Sequence, residues 1–78
     1  MFSTPQEMKQ AIGYEQLEQK QRGKFIEWMY NIHSDLMEEG ENYSEIYVLP
    51  DPENGPAAVI IRLKMTSGEE RTYINGMF

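Results

Sequence analysis

The 78-residue sequence predicts an α+β fold, with N-terminal helices packed on one face of a three-stranded antiparallel β-meander. Three observations carry this expectation. Apolar residues between Lys24 and Glu39 recur at helical spacing and stop at Gly40. From Ser44 onward they instead alternate with polar residues, as in half-buried strands. The connectors between the alternating runs, "DPENGP" and "SG", are turn-forming and too short for the crossover that parallel strands would need. The expected organisation is one domain over residues 1–78, helical over 4–39 and sheet over 44–78.

The helical half opens on "STPQEMKQAIG". Thr4 suits the N-cap, Pro5 the first helical position, and Glu7 the place from which a capping-box carboxylate reaches back to the cap amide. Met8, Ala11 and Ile12 then share a face, and Gly13 can either end this helix or lie within it. "YEQLEQKQRGK" is polar and helix-favouring, with Tyr14 and Leu17 as its apolar pair and Gly23 marking a kink or break. In "KFIEWMYNIHSDLMEEG", steps of about 100° per residue align Phe25, Met29, Ile32 and Leu36 as the core stripe, with Ile26, His33 and Met37 beside them. Trp28 and Tyr30 fall at the two edges of an apolar arc about 200° wide. That exceeds what one sheet face usually covers, so either the N-terminal helix or a partner is expected against part of it.

The strands are expected in "SEIYVLP", "AAVIIRLKMT" and "ERTYINGMF". A hairpin centred on Asn54 and Gly55 sets Val48 opposite Ile61, Tyr47 opposite Arg62, Ile46 opposite Leu63 and Glu45 opposite Lys64. A two-residue loop at Ser67 and Gly68 sets Lys64 opposite Arg71, Leu63 opposite Thr72, Arg62 opposite Tyr73 and Ile61 opposite Ile74. On this register Ile46, Val48, Val59, Ile61, Leu63, Met65, Thr72 and Ile74 face the helices. Tyr47, Leu49, Ile60, Arg62, Lys64, Arg71, Tyr73 and Glu45 make up the outer face. Arg62 and Lys64 thus interrupt the hydrophobic run "AVIIRLKM" because a strand alternates between two surfaces. Arg62 between two tyrosines would make cation–π contacts of about 0.5–1 kcal/mol each.

Charge is distributed unevenly along a chain whose formal total is −6. Between Phe25 and Ile61 there is no Lys or Arg, while Glu27, Asp35, Glu38, Glu39, Glu41, Glu45, Asp51 and Glu53 are all acidic. All seven cations lie on the flanks. A block of one sign repels non-specific nucleic acid and steers cationic partners.

Several chemistries are excluded or left without support. The chain has no cysteine, which removes disulfides, thiolate nucleophiles and cysteine-bound zinc. His33 is its one histidine and lies in the apolar arc, so it is expected to be partly buried and hydrogen-bonded rather than part of a triad or multi-histidine metal site. Counted from Asp51, Pro56 and Arg62 stand where a calcium loop needs its turn glycine and its last glutamate. Glu38 and Glu39 are adjacent and diverge on a helix, which does not suit paired acid–base chemistry. No glycine-rich phosphate loop appears. No cofactor, metal or catalytic residue is therefore expected, and the protein is read as not an enzyme. No run reaches the roughly 18 apolar residues of a membrane span, and "MFSTPQEMKQ" lacks the regions of a signal peptide, so a soluble cytoplasmic protein is expected, in the host cytoplasm if viral. So small a core can borrow apolar area from a second copy, which makes a homodimer an expectation as well.

The functional expectation is a small acidic protein-binding module, an inhibitor or adaptor, that engages a basic surface of a partner, such as a nucleic-acid-binding protein. Glu27, Asp35, Glu38, Glu39 and Glu41 would supply the charge, and Trp28 or Tyr30 an aromatic anchor at the rim. In size and charge the chain is similar to small acidic bacteriophage proteins that mimic DNA or inhibit host enzymes, a resemblance that no motif carries. Two alternatives use the outer sheet face: single-stranded nucleic-acid binding through Tyr47, Arg62, Lys64, Arg71 and Tyr73, or self-association as a structural subunit.

Overall fold

The computed structural model describes residues 10–74. A 3-10 turn at Tyr14–Gln16 leads into helix α1, Gln19–Glu38. Strand β1, Tyr43–Pro50, is joined through a 3-10 turn at Pro52–Asn54 to β2, Val59–Met65, and β3, Glu70–Ile74, follows. The strands pair antiparallel in the order β1-β2-β3, and α1 packs on one face of the open sheet, which makes the α+β fold. The helix expected to start at Thr4 lies outside the described residues through position 9. Its expected continuation is not helical: Ile12 forms a parallel bridge to β1, donating to the Ile46 carbonyl at 2.9 Å and accepting from the Val48 amide at 2.9 Å. This short pairing covers the outer edge of β1, so β3 carries the sheet's free edge among the described residues.

Helix α1 begins five residues before the expected core helix and passes through Gly23 unbroken. Its start is a capping box between Glu18 and Gln21, in which the Glu18 amide donates to Gln21 Oε1 at 2.8 Å. Glutamate is outside the usual N-cap set, which is why the pattern escapes a sequence search. Arg22 ties the preceding turn to the helix by donating to the Glu15 carbonyl at 2.9 Å and lying over the Tyr14 ring. Gly23 sits on the exposed side between two buried anchors, Gln21 and Phe25, and packing of the apolar face outweighs its low propensity. A Cβ there would meet nothing within 4 Å. Gly23→Ala is therefore expected to stabilise the protein by about 0.5–1 kcal/mol, read as a higher midpoint in urea unfolding. At the other end Glu41 donates its amide to the Leu36 carbonyl and Gly40 to that of Met37, the paired bonds of a Schellman motif.

The β1–β2 register is the expected one: Glu45 opposite Lys64, Ile46 opposite Leu63, Tyr47 opposite Arg62 and Val48 opposite Ile61. The β2–β3 register is one residue away from the expectation. Lys64 pairs with Glu70, Leu63 with Arg71, Arg62 with Thr72, Ile61 with Tyr73 and Ile60 with Ile74. The loop is Thr66-Ser67-Gly68, closed by the Gly68 amide on the Met65 carbonyl at 2.9 Å and the Met65 amide on Glu69 at 2.7 Å. Gly68 takes φ +98°, so the connection is a tight turn followed by a left-handed glycine rather than a two-residue loop. A shift of one residue exchanges the faces of a strand. Arg71 and Tyr73 therefore belong to the helix side, not to the outer face as expected, and Thr72 and Ile74 are turned outward, with Ile74 exposed.

The core stripe is as the periodicity implies. Phe25, Met29, Ile32 and Leu36 are buried against Ile46, Val48, Val59, Ile61, Leu63 and Met65, with Ala11, Leu17 and Tyr43 closing the ends. The wide apolar arc of α1 is resolved unequally. On one edge Trp28 is buried, its ring meeting Tyr73 edge-on at 6.4 Å between centroids. Trp28 is thus a core residue and not the rim anchor expected of it, because the shifted β3 register brings a tyrosine under it. On the other edge Tyr30 and Met37 are exposed. His33 is partly buried, and its Nδ1 lies 2.8 Å from the hydroxyl of the buried Tyr43. No helix of the described residues is long and apolar enough to cross a membrane.

Candidate functional site

Packing of α1 across the sheet leaves a cleft of about 490 Å³ on the helix flank next to β3. Helical geometry brings Lys24, Glu27, Asn31 and Asp35 into line along it, since residues three and four apart are neighbours on a helix. Trp28, Ile32 and Tyr73 line it with apolar surface. Trp28 and Ile32 are nearly covered, whereas Lys24, Glu27, Asn31 and Asp35 are exposed, so the cleft has an aromatic floor and a polar wall carrying two carboxylates, with one ammonium at the Lys24 end. Beside it runs β3, the free edge of the sheet among the described residues.

The structure separates the five acidic residues that the sequence grouped. Glu27 and Asp35 line the cleft, and Glu38 follows on the same helix flank one turn beyond Asp35. Glu39 is exposed at the helix end. Glu41 is engaged within the chain: Arg71 Nη1 donates to its Oε2 at 2.8 Å and Nη2 to its Oε1 at 2.5 Å, a bidentate pair that also spans to Glu69 at 3.3 Å. The hydrogen bonds from Arg71 hold the Glu41 carboxyl below its ordinary range, against a smaller opposing effect of desolvation, and they raise Arg71 in turn. A carboxyl lowered in this way adds stability fully above its unfolded pKa and loses it as pH falls through the lowered folded value. Glu41 and Arg71 thereby anchor the loop after α1 to β3 and are committed to each other. Tyr30 lies on the far side of α1 from the cleft.

The outer sheet face is built of three cross-strand rows. Leu49, Ile60 and Ile74 form an apolar row; Tyr47, Arg62 and Thr72 form the next; Glu45, Lys64 and Glu70 form the third. Arg62 stands between Tyr47 and Thr72, not between two tyrosines, and Lys64 stands between two glutamates. The Tyr47 hydroxyl donates to Glu45 Oε2. That hydrogen bond, then desolvation and the charges of Glu45 and Glu70, raise the Tyr47 phenol and keep it a neutral donor at physiological pH. Two cations are thus matched by two carboxylates on this face. A depression of about 500 Å³ lies here, walled by Ile12, Gly13 and Gln16 at the β1 edge.

Of the residues lining the cleft, Lys24, Asn31 and Ile32 share the helical spacing of Glu27, Trp28 and Asp35 and were open to discovery in the sequence. Tyr73 was not, because its face depends on the length of the β2–β3 loop. Among the described residues no three His, Asp or Glu side chains are grouped as metal ligands would be. No protein-family model, curated protein or solved structure matches the chain.

Proposed function

We propose that the protein is a non-enzymatic binding module that seats an extended basic segment of a partner protein in the cleft between α1 and β3. The observation that carries this reading is the coincidence of three features at one place: an aromatic floor, two carboxylates on the wall and a strand edge unpaired among the described residues. An extended segment can add to a free edge through its backbone while alternate side chains enter the neighbouring groove. Lys or Arg side chains of such a segment meet Glu27 and Asp35, their methylene stems lie on Trp28 and Tyr73, and Glu38 extends the field along the helix. The acidic flank of a chain of net charge −6 speeds encounter with a basic surface. Occupying that surface is how an inhibitor or adaptor of this size would act. Direct nucleic-acid binding is disfavoured by the matched charges of the outer face, from which Arg71 and Tyr73 are missing.

The reading is tested by panning a displayed random-peptide library against the wild-type protein and the Glu27→Lys/Asp35→Lys double variant. Both positions are exposed, so the fold is expected to persist. Wild-type selections are expected to enrich Lys and Arg at alternate positions, and the selected peptides to lose affinity for the double variant by roughly 30-fold or more, mostly through the association rate. Selections without basic enrichment, or peptides that bind both proteins equally, would eliminate the cleft as the binding site.

A further inference from the structure

Among the described residues the sheet is covered by α1 on one face only, and the other face carries an apolar row, Leu49, Ile60 and Ile74, next to the exposed Ile12. Leu49 is 53% exposed, Ile12 55% and Ile74 40%, which is too much contiguous apolar surface to explain as isolated exposed side chains. The face is also electrically distinct. Its Arg62 and Lys64 are balanced by Glu45 and Glu70, so the whole net charge of −6 resides elsewhere on the molecule.

From these observations we infer that the outer sheet face binds a second copy of this chain, forming a two-fold helix–sheet–sheet–helix dimer. The occupant follows from the charge. Two copies of an acidic chain repel through every surface that bears the net charge and can approach through the balanced one. A basic partner, in contrast, is drawn to the acidic flank of α1. The pattern is compatible with two-fold symmetry: an axis running along the apolar row sets Leu49, Ile60 and Ile74 on their own counterparts. The same rotation carries the charged rows of the two copies to opposite ends, where no cation faces its own copy. Sheets stacked in this way lie about 10 Å apart with side chains interdigitated. With β2 seven residues long, strand spacing and rise give three strands and the Ile12 segment a face of roughly 19 by 23 Å, and an axis along a row one residue from the end of β2 overlaps only part of it. That is small for a stable interface, so dissociation in the micromolar range is expected.

Sedimentation velocity of the wild-type protein from about 1 to 300 µM tests this, the range bracketing a weak interface of that size. The wild type is expected to pass from monomer to dimer across the series. Leu49→Glu/Ile74→Glu, at two exposed positions, is expected to raise the dissociation constant at least about 10-fold while leaving the thermal midpoint of the diluted protein unchanged. Glu27→Lys/Asp35→Lys is expected to leave the dimer intact, which separates this face from the peptide cleft. A wild type that stays monomeric throughout overturns the inference. So does a dimer indifferent to the Leu49→Glu/Ile74→Glu change, or one dissolved by charge reversal in the cleft.

Discussion

Gly13→Ala is expected to destabilise the protein by about 3 kcal/mol, enough to remove a large part of the roughly 4–12 kcal/mol available to a chain of this length. Gly13 holds φ +96°, and a Cβ at this position would lie 2.2 Å from the carbonyl oxygen of Val48. That oxygen belongs to the backbone of β1, whose neighbouring residues are in the ladder with β2 and in the bridge with Ile12, so it cannot yield as the tip of a side chain could. Relief requires giving up the two Ile12 hydrogen bonds or displacing the strand. A left-handed backbone alone would account for about 1 kcal/mol, and the contact adds the remainder. Urea unfolding followed by far-UV circular dichroism measures the change. A loss below about 1 kcal/mol would show that the Ile12 segment is not held against β1 as described. The same substitution at Gly23 is expected to have the opposite sign, because space and conformation there both accept a methyl group.

Trp28→Ala is expected to cost about 3–5 kcal/mol, the range for removing a large aromatic side chain from a core. Trp28 is 9% exposed, meets Tyr73 edge-on and separates the cleft from the hydrophobic interior. A tryptophan at the rim of a surface arc would cost no more than a few tenths of a kcal/mol, so the measurement separates the two placements by a wide margin. Trp28→Phe retains most of the packing and is expected to cost much less. Because the residue forms part of the cleft, the phenylalanine variant also allows peptide binding to be measured in a folded protein.

What could be read without coordinates was whatever depends on neighbours in sequence. The stripe Phe25, Met29, Ile32 and Leu36 is buried as its spacing requires, since helical period alone decides which side chains share a face. The alternation of Val59, Ile61, Leu63 and Met65 with Ile60, Arg62 and Lys64 is equally local, and the burial of β2 follows it. Even the β1–β2 register was legible, although two prolines and a 3-10 turn lie between the strands, because the hydrophobic pattern on both strands admits few pairings. Gly23 was misread as a break because intrinsic propensity is a weaker influence than the apolar faces on either side of it.

The candidate site was legible in part. Glu27 and Asp35 share a helix flank by spacing, but only the fold shows that they border a cleft and that Glu41 is occupied by Arg71.

The sequence by itself determined the class of fold, the buried faces of α1, β1 and β2 and the separation of Arg62 and Lys64 from the core. Tertiary structure alone decided the face of β3, and with it the positions of Arg71, Tyr73, Thr72 and Ile74. The physical reason is that two hairpin loops differing by one residue are close in local energy, while they differ in what the whole strand buries. Placing Tyr73 under Trp28 and Arg71 on Glu41 settles the choice through contacts that come from α1 and the loop after it, more than 25 residues away in the chain.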